Sequence, residues 1–192
     1  QLLNYMYAHE DKRNTRAYKY WLRDTAVIET FFATGARVYE ISNIKAECVN
    51  LNTGLIKIMG KGGKERYIQI AATDILDVLK KYYSQNSEMI KKSGYFFVNS
   101  RGKRYTEQSI RLMLKKYTKL AGIERNITPH MFRHSFATYL IEEGVDVSCV
   151  QQILGHSSIK TTQIYIHIAS KKQAEILREM HPRNRMNIIR AA

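Results

Sequence analysis

Apolar residues in most of this chain recur at intervals of three and four positions, the pattern of helices that bury one face. The densest helical segment covers about residues 16–34 and stops at Gly35, because glycine commonly supplies the left-handed residue that ends a helix. A second helix is predicted to follow, with Val38, Ile41 and Ile44 on one face, Arg37 at its start and Glu40 one turn later. Further helices are predicted over about residues 72–83, 106–121, 128–143 and 147–154.

The apolar spacing changes to strand-like runs in two short segments. Residues 55–59 and 66–70 flank the glycine-rich segment 60–65, which predicts a β-hairpin with Lys61 at the end of its first strand. A third β-type run, residues 95–98, is closed by a turn signal over residues 99–102. The chain is therefore predicted to be mainly α with a small antiparallel β-sheet, an α+β fold.

Charge narrows the class of partner. The 192 residues include 31 Lys plus Arg against 17 Asp plus Glu, a net charge of +14, which favours a polyanion and nucleic acid first. A solvated basic surface is the alternative. The lack of a long apolar run and of a signal-peptide pattern predicts a cytoplasmic protein without membrane contact. Cys48 and Cys149 belong to no paired motif and are predicted to be reduced thiols.

The residues with the most informative chemistry lie near the C-terminal end. His130 and Arg133 are three positions apart in the first turn of a predicted helix, so their side chains can converge on one anion. His156 directly follows Gly155, and Tyr165 comes after it. A tyrosine that attacks phosphorus needs fixed positive charge nearby, because negative charge builds on the non-bridging oxygens. The ordered set therefore favours phosphodiester chemistry.

Two other kinds of site fit parts of these motifs less well. His130 and His134 have the spacing of a zinc-binding helix pair, but Met131 stands where a metalloprotease carries glutamate, and a third ligand is not evident. The glycines of segment 60–65 suggest a phosphate-binding P-loop, but the G-x-x-x-x-G-K-[ST] spacing is absent. Neither a metal nor a nucleotide cofactor is predicted.

Four segments together resemble the tyrosine recombinases, the group that includes the phage integrases and the Xer proteins. They are Thr34-Gly35-Ala36-Arg37-Val38-Tyr39-Glu40-Ile41, Gly60-Lys61-Gly62-Gly63-Lys64-Glu65-Arg66, His130-Met131-Phe132-Arg133-His134-Ser135-Phe136-Ala137-Thr138, and Leu154-Gly155-His156-Ser157-Ser158 followed by Thr161-Thr162-Gln163-Ile164-Tyr165. The resemblance covers nearly the whole chain and fills every active-site position in the expected order. It implies a mostly helical catalytic domain with a small β-sheet and a reaction without metal or cofactor.

The resemblance also implies a role for each matching residue. Tyr165 would be the nucleophile that forms a 3′-phosphotyrosyl link. The guanidinium groups of Arg37 and Arg133 would clamp the non-bridging phosphate oxygens. Lys61 would protonate the leaving 5′ oxygen. His130 would act as a general base or proton shuttle, and His156 would hydrogen-bond the phosphate.

Further expectations concern the chain's organisation and its contacts with DNA. Lys64 and Arg66, beside the hairpin turn, are predicted to contact the DNA backbone, with a solvated charged strand as the alternative. Residues 1–182 are predicted to be the catalytic domain. The basic tail 183–192 is predicted to dock on a neighbouring protomer, with a frayed terminus as the alternative. The resemblance further implies an upstream DNA-binding domain that is absent from this chain.

The predicted function is that of a site-specific recombinase or integrase, which cleaves and rejoins double-stranded DNA for a bacterial mobile element or phage, as in transposition. The resemblance implies self-association into a dimer or tetramer on DNA, with accessory DNA-bending factors as further candidate partners. Two alternatives stay open. One is a topoisomerase-like enzyme that cuts and reseals a strand, and the other is a DNA-binding module without catalysis, which would not require the complete set of reactive side chains.

Overall fold

The protein is mainly helical around a small antiparallel sheet, as predicted. A computed structural model describes residues 1–9 and 16–155, and the chain divides into two compact units, residues 1–136 and residues 137–192. The helices are α1 Leu2–Ala8, α2 Arg16–Thr34, α3 Val38–Ser42, α4 Thr73–Ser93, α5 Glu107–Leu120, α6 Pro129–Glu142 and α7 Val147–Leu154. The strands are β1 Val49–Asn50, β2 Leu55–Met59 and β3 Glu65–Gln69, and single 3₁₀ turns cover Ala46–Cys48 and Lys61–Gly63.

Helix α2 is the central element of the first unit. Its second half is buried almost all round, which explains the dense apolar pattern of that segment. Gly35 ends the helix in the left-handed conformation, with φ 57°, and its N–H bonds to the carbonyl of Phe31 at 2.9 Å. The predicted bounds of this helix are confirmed. Fully buried side chains of the first unit include Met6, Leu22, Ile28, Phe31, Ile41, Ile56, Ile58, Leu79, Tyr82, Ile90, Phe96 and Phe97.

The sheet has the order β1–β2–β3 and contains the predicted hairpin. Strands β2 and β3 pair antiparallel from Leu55 opposite Gln69 to Met59 opposite Glu65. The alternating side chains of Ile56 and Ile58 point into the core, which gives β2 its period of two. Strand β1 pairs with β2 through only two residues and was not predicted, because so short a strand carries no periodic signal.

The predicted strand over residues 95–98 is wrong. Tyr95 and Val98 form only isolated bridges, to Lys45 and Arg104 respectively. The adjacent residues Phe96 and Phe97 are both buried, whereas neighbouring residues of a strand point to opposite faces. The hydroxyl of Tyr82 donates to the carbonyl of Phe96 at 3.1 Å and accepts from the N–H of Val98 at 2.9 Å. A side chain thus satisfies backbone groups that a sheet neighbour would otherwise pair.

Local signals explain the limits of the remaining helices in the first unit. Helix α4 continues ten residues past its predicted end at residue 83, because no helix-breaking residue occurs before Gly94, which has φ 72°. Helix α5 begins at Thr106, whose hydroxyl accepts the N–H of Ser109 at 3.2 Å. Its predicted position is confirmed to within one residue at each end.

The second unit contains the end of α6 and all of α7. Gly144, with φ 91°, follows α6, and Asp146 caps α7 by accepting the N–H of Ser148 at 2.7 Å. Gly155 ends α7 in the left-handed conformation, with φ 66°. Both helices were predicted at nearly these bounds. The predicted helix that carries Tyr165, and the predicted docking tail 183–192, lie outside the described residues.

Among residues 1–9 and 16–155, no helix is both long and apolar enough to cross a lipid bilayer. Cys48 is half-buried and Cys149 is exposed, and both are free cysteines.

Candidate active site

The turn between α2 and α3 places Arg37 at the start of a helix. After Gly35 the N–H of Ala36 bonds to the hydroxyl of Thr34 at 3.2 Å, and Arg37 takes an extended conformation as the N-cap of α3. The Arg37 side chain keeps 39 % of its surface exposed. A guanidinium that is held at this turn and open to solvent can receive an anion.

Glu40 holds this arginine from the first turn of α3. One carboxylate oxygen, Oε2, accepts the backbone N–H of Arg37 at 2.7 Å, and Oε1 accepts from its guanidinium Nη1 at 3.0 Å. Only 1 % of the Glu40 side chain is exposed. A carboxylate at this position also interacts favourably with the helix dipole, so Glu40 caps α3 and orients Arg37 together.

Arg66 approaches the same carboxylate from strand β3. Its Nη1 donates to Oε1 of Glu40 at 3.0 Å and its Nη2 to Oε2 at 2.7 Å, a two-bond pairing that only a planar guanidinium can make. The Arg66 side chain is 10 % exposed. Burial opposes ionisation of Glu40, but the hydrogen bonds from Arg66 and Arg37 outweigh it and lower the pKa of the carboxyl. Glu40 is therefore a charged centre shared by two arginines.

The β2–β3 hairpin carries Lys61 past this carboxylate. Gly60 closes the turn by donating its N–H to the carbonyl of Lys64 at 2.7 Å, and Lys61 begins the 3₁₀ turn that follows. A Cβ atom on Gly60 would lie 3.7 Å from Oε1 of Glu40 and 3.2 Å from the Lys64 carbonyl. The backbone directly before Lys61 thus passes close to the Glu40 carboxylate. The position of the Lys61 side chain lies outside the description.

Helix α6 contributes His130 and Arg133 from its first turns. Phe132 fixes the helix by stacking on Phe31, with ring centroids 5.2 Å apart. Arg133 is 7 % exposed and donates from Nη1 to the carbonyl oxygen of Gly35 at 2.9 Å. His130 lies one turn earlier and is exposed. The second predicted arginine therefore lies against the turn that leads into Arg37.

The structure brings together part of the predicted set. Arg133 bonds to the turn that leads into Arg37, and Gly60, directly before Lys61, passes close to the Glu40 carboxylate that also holds Arg37. Lys64 is exposed beside the turn, whereas Arg66 points inward to Glu40. The predicted site residues His156 and Tyr165 lie outside the described residues.

Sequence reasoning did not identify Glu40 as the centre of this arrangement. The three-residue spacing after Arg37 signals the local ion pair, but no pattern in the sequence indicates the second pair with Arg66, 26 positions away. Arg37 and Arg66 share the Glu40 carboxylate, and Arg133 bonds to the carbonyl of Gly35, two residues before Arg37. The cluster keeps an excess of positive charge, which suits a phosphate ligand.

The arrangement of His, Cys, Asp and Glu side chains bears on metal binding. In the described part of the chain, no group of three or more is placed to hold a metal ion.

The sequence matches a known family along most of its length. A model of the phage integrase family matches residues 6–172. The chain belongs to this family. The resemblance to the tyrosine recombinases, stated from the motifs, is thereby confirmed.

Individual members of the family are similar in sequence and in fold. A tyrosine recombinase of Agathobacter rectalis is 48% identical over 162 residues, which cover 84% of this chain and 53% of that protein. The crystal structure of XerA recombinase superposes with a TM-score of 0.73 and 32% identity, over 94% of this chain and 62% of that one. The XerH recombinase bound to a palindromic difH substrate, a post-cleavage complex, gives a TM-score of 0.72 and 30% identity, over 93% and 52%. The chain spans about half the length of the curated relatives it matches.

Proposed function

We propose that this chain is the catalytic domain of a site-specific DNA recombinase, which cuts and rejoins strands through a 3′-phosphotyrosyl intermediate on Tyr165. The observation that carries the proposal is the hydrogen bond from Arg133 to the Gly35 carbonyl, which joins the second arginine to the turn that presents Arg37. Two guanidinium groups at one turn can bind both non-bridging oxygens of a phosphate. Family membership and the similarity to the XerH–DNA complex also support a role as a DNA recombinase.

In the proposed reaction, the phenolic oxygen of Tyr165 forms a bond to phosphorus while the bond from phosphorus to the 5′ oxygen breaks. The phenolic proton passes to His130 or to a water bound there, and Lys61 gives a proton to the departing 5′ oxygen, so charge and protons balance. Arg37, Arg133 and His156 stabilise the charge that builds on the other two oxygens. Attack of another strand's 5′-hydroxyl on the phosphotyrosine reverses these steps and exchanges the strands.

The partners follow from the same proposal. Double-stranded DNA is the substrate, in keeping with the net charge of +14 and with the DNA complex of the related XerH recombinase. Residues 1–182 form the catalytic domain, residues 183–192 dock on a neighbouring protomer, and dimers or tetramers assemble on DNA with help from bending factors. The recombinase acts in the bacterial cytoplasm on DNA of a mobile element or phage.

The test is a covalent trap. Labelled duplexes of randomised sequence, each with one nick, are incubated with the chain at low salt, and protein–DNA adducts are isolated in detergent gels. We expect an adduct with the parent protein and none with Tyr165→Phe, and sequencing of the trapped DNA should reveal a preferred site. An adduct formed equally by the Phe variant would refute Tyr165 as nucleophile. Trapping with no sequence preference, together with relaxation of supercoiled plasmid, would indicate the topoisomerase-like alternative instead.

A further inference from the structure

We infer that Arg66 is a positioning residue, which ties the hairpin that carries Lys61 to Glu40 and through Glu40 to Arg37. This inference rests on the proposed function, and it assigns Arg66 a role inside the protein in place of the DNA contact predicted from the sequence. Its consequence is specific. Loss of Arg66 should impair delivery of a proton to the leaving oxygen more than it impairs DNA binding.

The geometry of Arg66 favours an internal role. Both of its Nη atoms are engaged by Glu40, at 3.0 and 2.7 Å, and its side chain is 10 % exposed. The Arg37 side chain, by contrast, is 39 % exposed and pairs with Glu40 through Nη1 alone. Arg66 would have to break two charge-assisted bonds to reach a DNA phosphate, whereas Arg37 can bind one while it keeps its partner.

The hairpin needs such an anchor near its tip. Gly62 and Gly63 both have positive φ, and an added Cβ atom at either would meet no described atom within 4 Å, so the turn reaches into open space. Glu65 pairs with Lys57 at 2.8 Å, but both residues belong to the hairpin itself. Arg66 is thus the residue nearest the tip whose described ion pair leaves the hairpin.

The contact point lies next to the residue that matters for the chemistry. Gly60, directly before Lys61, passes so close to the ion pair that an added Cβ would be 3.7 Å from Glu40 Oε1 and 4.0 Å from Arg66 Nη1. The same oxygen accepts from Arg37 at 3.0 Å. One carboxylate therefore sets the distance between the start of the hairpin turn and the catalytic arginine. Proton transfer requires hydrogen-bond distance, so the reach of Lys61 depends on that spacing.

A DNA substrate with a different leaving group distinguishes a positioning role of Arg66 from a direct contact between Arg66 and DNA. Single-turnover adduct formation is measured on two versions of one nicked duplex, taken from the sequence that the parent protein traps. One version has the natural 5′ oxygen, and the other has a bridging 5′ sulfur. When the phosphorus–sulfur bond breaks, sulfur leaves as a stable thiolate and needs no proton, because thiols are far more acidic than alcohols. Lys61→Ala is the reference variant for loss of the acid.

Arg66→Met should slow adduct formation about 30-fold on the oxygen substrate and less than about threefold on the sulfur substrate, following the pattern of Lys61→Ala. Arg66→Lys keeps the charge but can make only one of the two bonds, so it should show the same selectivity with a smaller loss. Arg66→Lys also provides the test if Arg66→Met does not fold. Lys91→Met, at an exposed site on α4, is the matched control and should change neither rate.

The salt dependence of DNA binding gives a second readout. Loss of a phosphate contact lowers the slope of log affinity against log salt concentration by about one. If Arg66 makes no such contact, the slope for Arg66→Met should equal that of the parent protein. Equal slowing on both substrates, or a reduced salt slope, would overturn the inference. If the parent protein itself forms no adduct on either substrate, the proposed function fails first, so the two failures are distinguishable.

Discussion

The guanidinium of Arg133 donates a 2.9 Å hydrogen bond to the carbonyl oxygen of Gly35, although the two residues are 98 positions apart. Gly35 follows the last residue of α2, where unpaired carbonyls carry the negative end of the helix dipole. A buried cation is stabilised there before any phosphate binds. The bond thus gives Arg133 a structural role in addition to the role in phosphate binding that we propose.

Arg133→Lys tests this double role. Lysine retains the charge but not the planar fork, so we expect about 1–2 kcal/mol less stability and covalent trapping slower by about 100-fold, the typical effect of losing an oxyanion donor. Urea denaturation and single-turnover trapping measure the two effects. Arg125→Lys, at an exposed position, is the control and should leave both unchanged. Full activity in Arg133→Lys would show that a point charge is sufficient.

Among substitutions that only remove a charge, Glu40→Gln should be one of the most destabilising in the first unit. It leaves Arg37 and the half-buried Arg66 without the counter-charge of the buried Glu40 carboxylate, and breaking a pair of this kind costs about 3 kcal/mol. Urea denaturation at pH 7 measures the loss. Glu107→Gln removes an ion pair with Arg111 on the surface of α5, and as a control it should cost less than about 1 kcal/mol.

The stability of Glu40→Gln relative to the parent protein should depend on pH. The folded-state pKa of Glu40 lies below its ordinary value of 4.5, because the bonds from Arg66 and Arg37 outweigh the opposing effect of burial. The stabilising contribution of the carboxylate is therefore complete above about pH 5 and is lost as pH falls through the lowered pKa. The stability difference between the parent protein and Glu40→Gln should stay constant from pH 8 to pH 5 and shrink below pH 4.5. A difference that grows on acidification would contradict this assignment.

Glu29 is predicted to behave in the opposite sense. It is 6 % exposed, and burial raises its pKa, although the hydroxyl of Tyr7 donates to its Oε1 at 2.5 Å. A raised pKa means that the folded chain is penalised as the carboxyl ionises, so stability is lost as pH rises through the folded-state pKa. Glu29→Gln can still accept the Tyr7 hydrogen bond. It should therefore gain stability relative to the parent protein between pH 4 and pH 8, as measured by urea denaturation, whereas the exposed control Glu88→Gln should not.

Tyr82→Phe tests the side-chain bridge over residues 95–98. The change removes one oxygen and leaves a buried carbonyl at Phe96 and a buried N–H at Val98 without their partner. We expect a loss of about 2 kcal/mol, measured by urea denaturation. Tyr83→Phe is the matched control, since this half-buried ring stacks on Phe96 from the next position of α4. Equal effects of the two substitutions would show that the Tyr82 bridge contributes little.

Gly54→Ala should disturb the sheet by a steric clash. Gly54 has φ 74°, and an added Cβ would lie 2.3 Å from the carbonyl oxygen of Ile70, which is part of the backbone and cannot rotate away. Gly62 has φ 75° with no described atom near its Cβ position. Both Ala variants incur the cost of a left-handed residue, about 1–2 kcal/mol. Thermal or urea unfolding should show a clearly larger loss for Gly54→Ala, and the excess measures the clash.

Much of the fold could be predicted because its signals are local. Gly35, Gly144 and Gly155 end helices at the positions where the apolar period stops, and Thr106 begins one where a cap is expected. The strand at residues 95–98 was predicted wrongly because a run of buried aromatic residues looks the same whether a neighbouring strand or a Tyr82 hydroxyl satisfies its backbone. That distinction is made by tertiary contacts, which local composition does not encode.

For the site, the sequence provided candidate residues but not the contacts between them. Motif resemblance selected Arg37 and Arg133, and the structure brings them to one turn. Resemblance could not show that Arg66 points to Glu40. The sequence around a basic residue beside a hairpin does not indicate whether its side chain faces solvent or a buried carboxylate. Pairings across 26 or 98 positions depend on how helices and strands pack, and a single sequence has no periodic signal for them.

The shared carboxylate of Glu40 also limits how this protein can be re-engineered. Exchanging the hairpin with that of a relative, for instance to alter substrate preference, retains this ion pair only where the incoming strand also has an arginine at position 66. A chimera without that arginine leaves the Glu40 carboxylate short of one of its two partners, so position 40 must be exchanged together with β3.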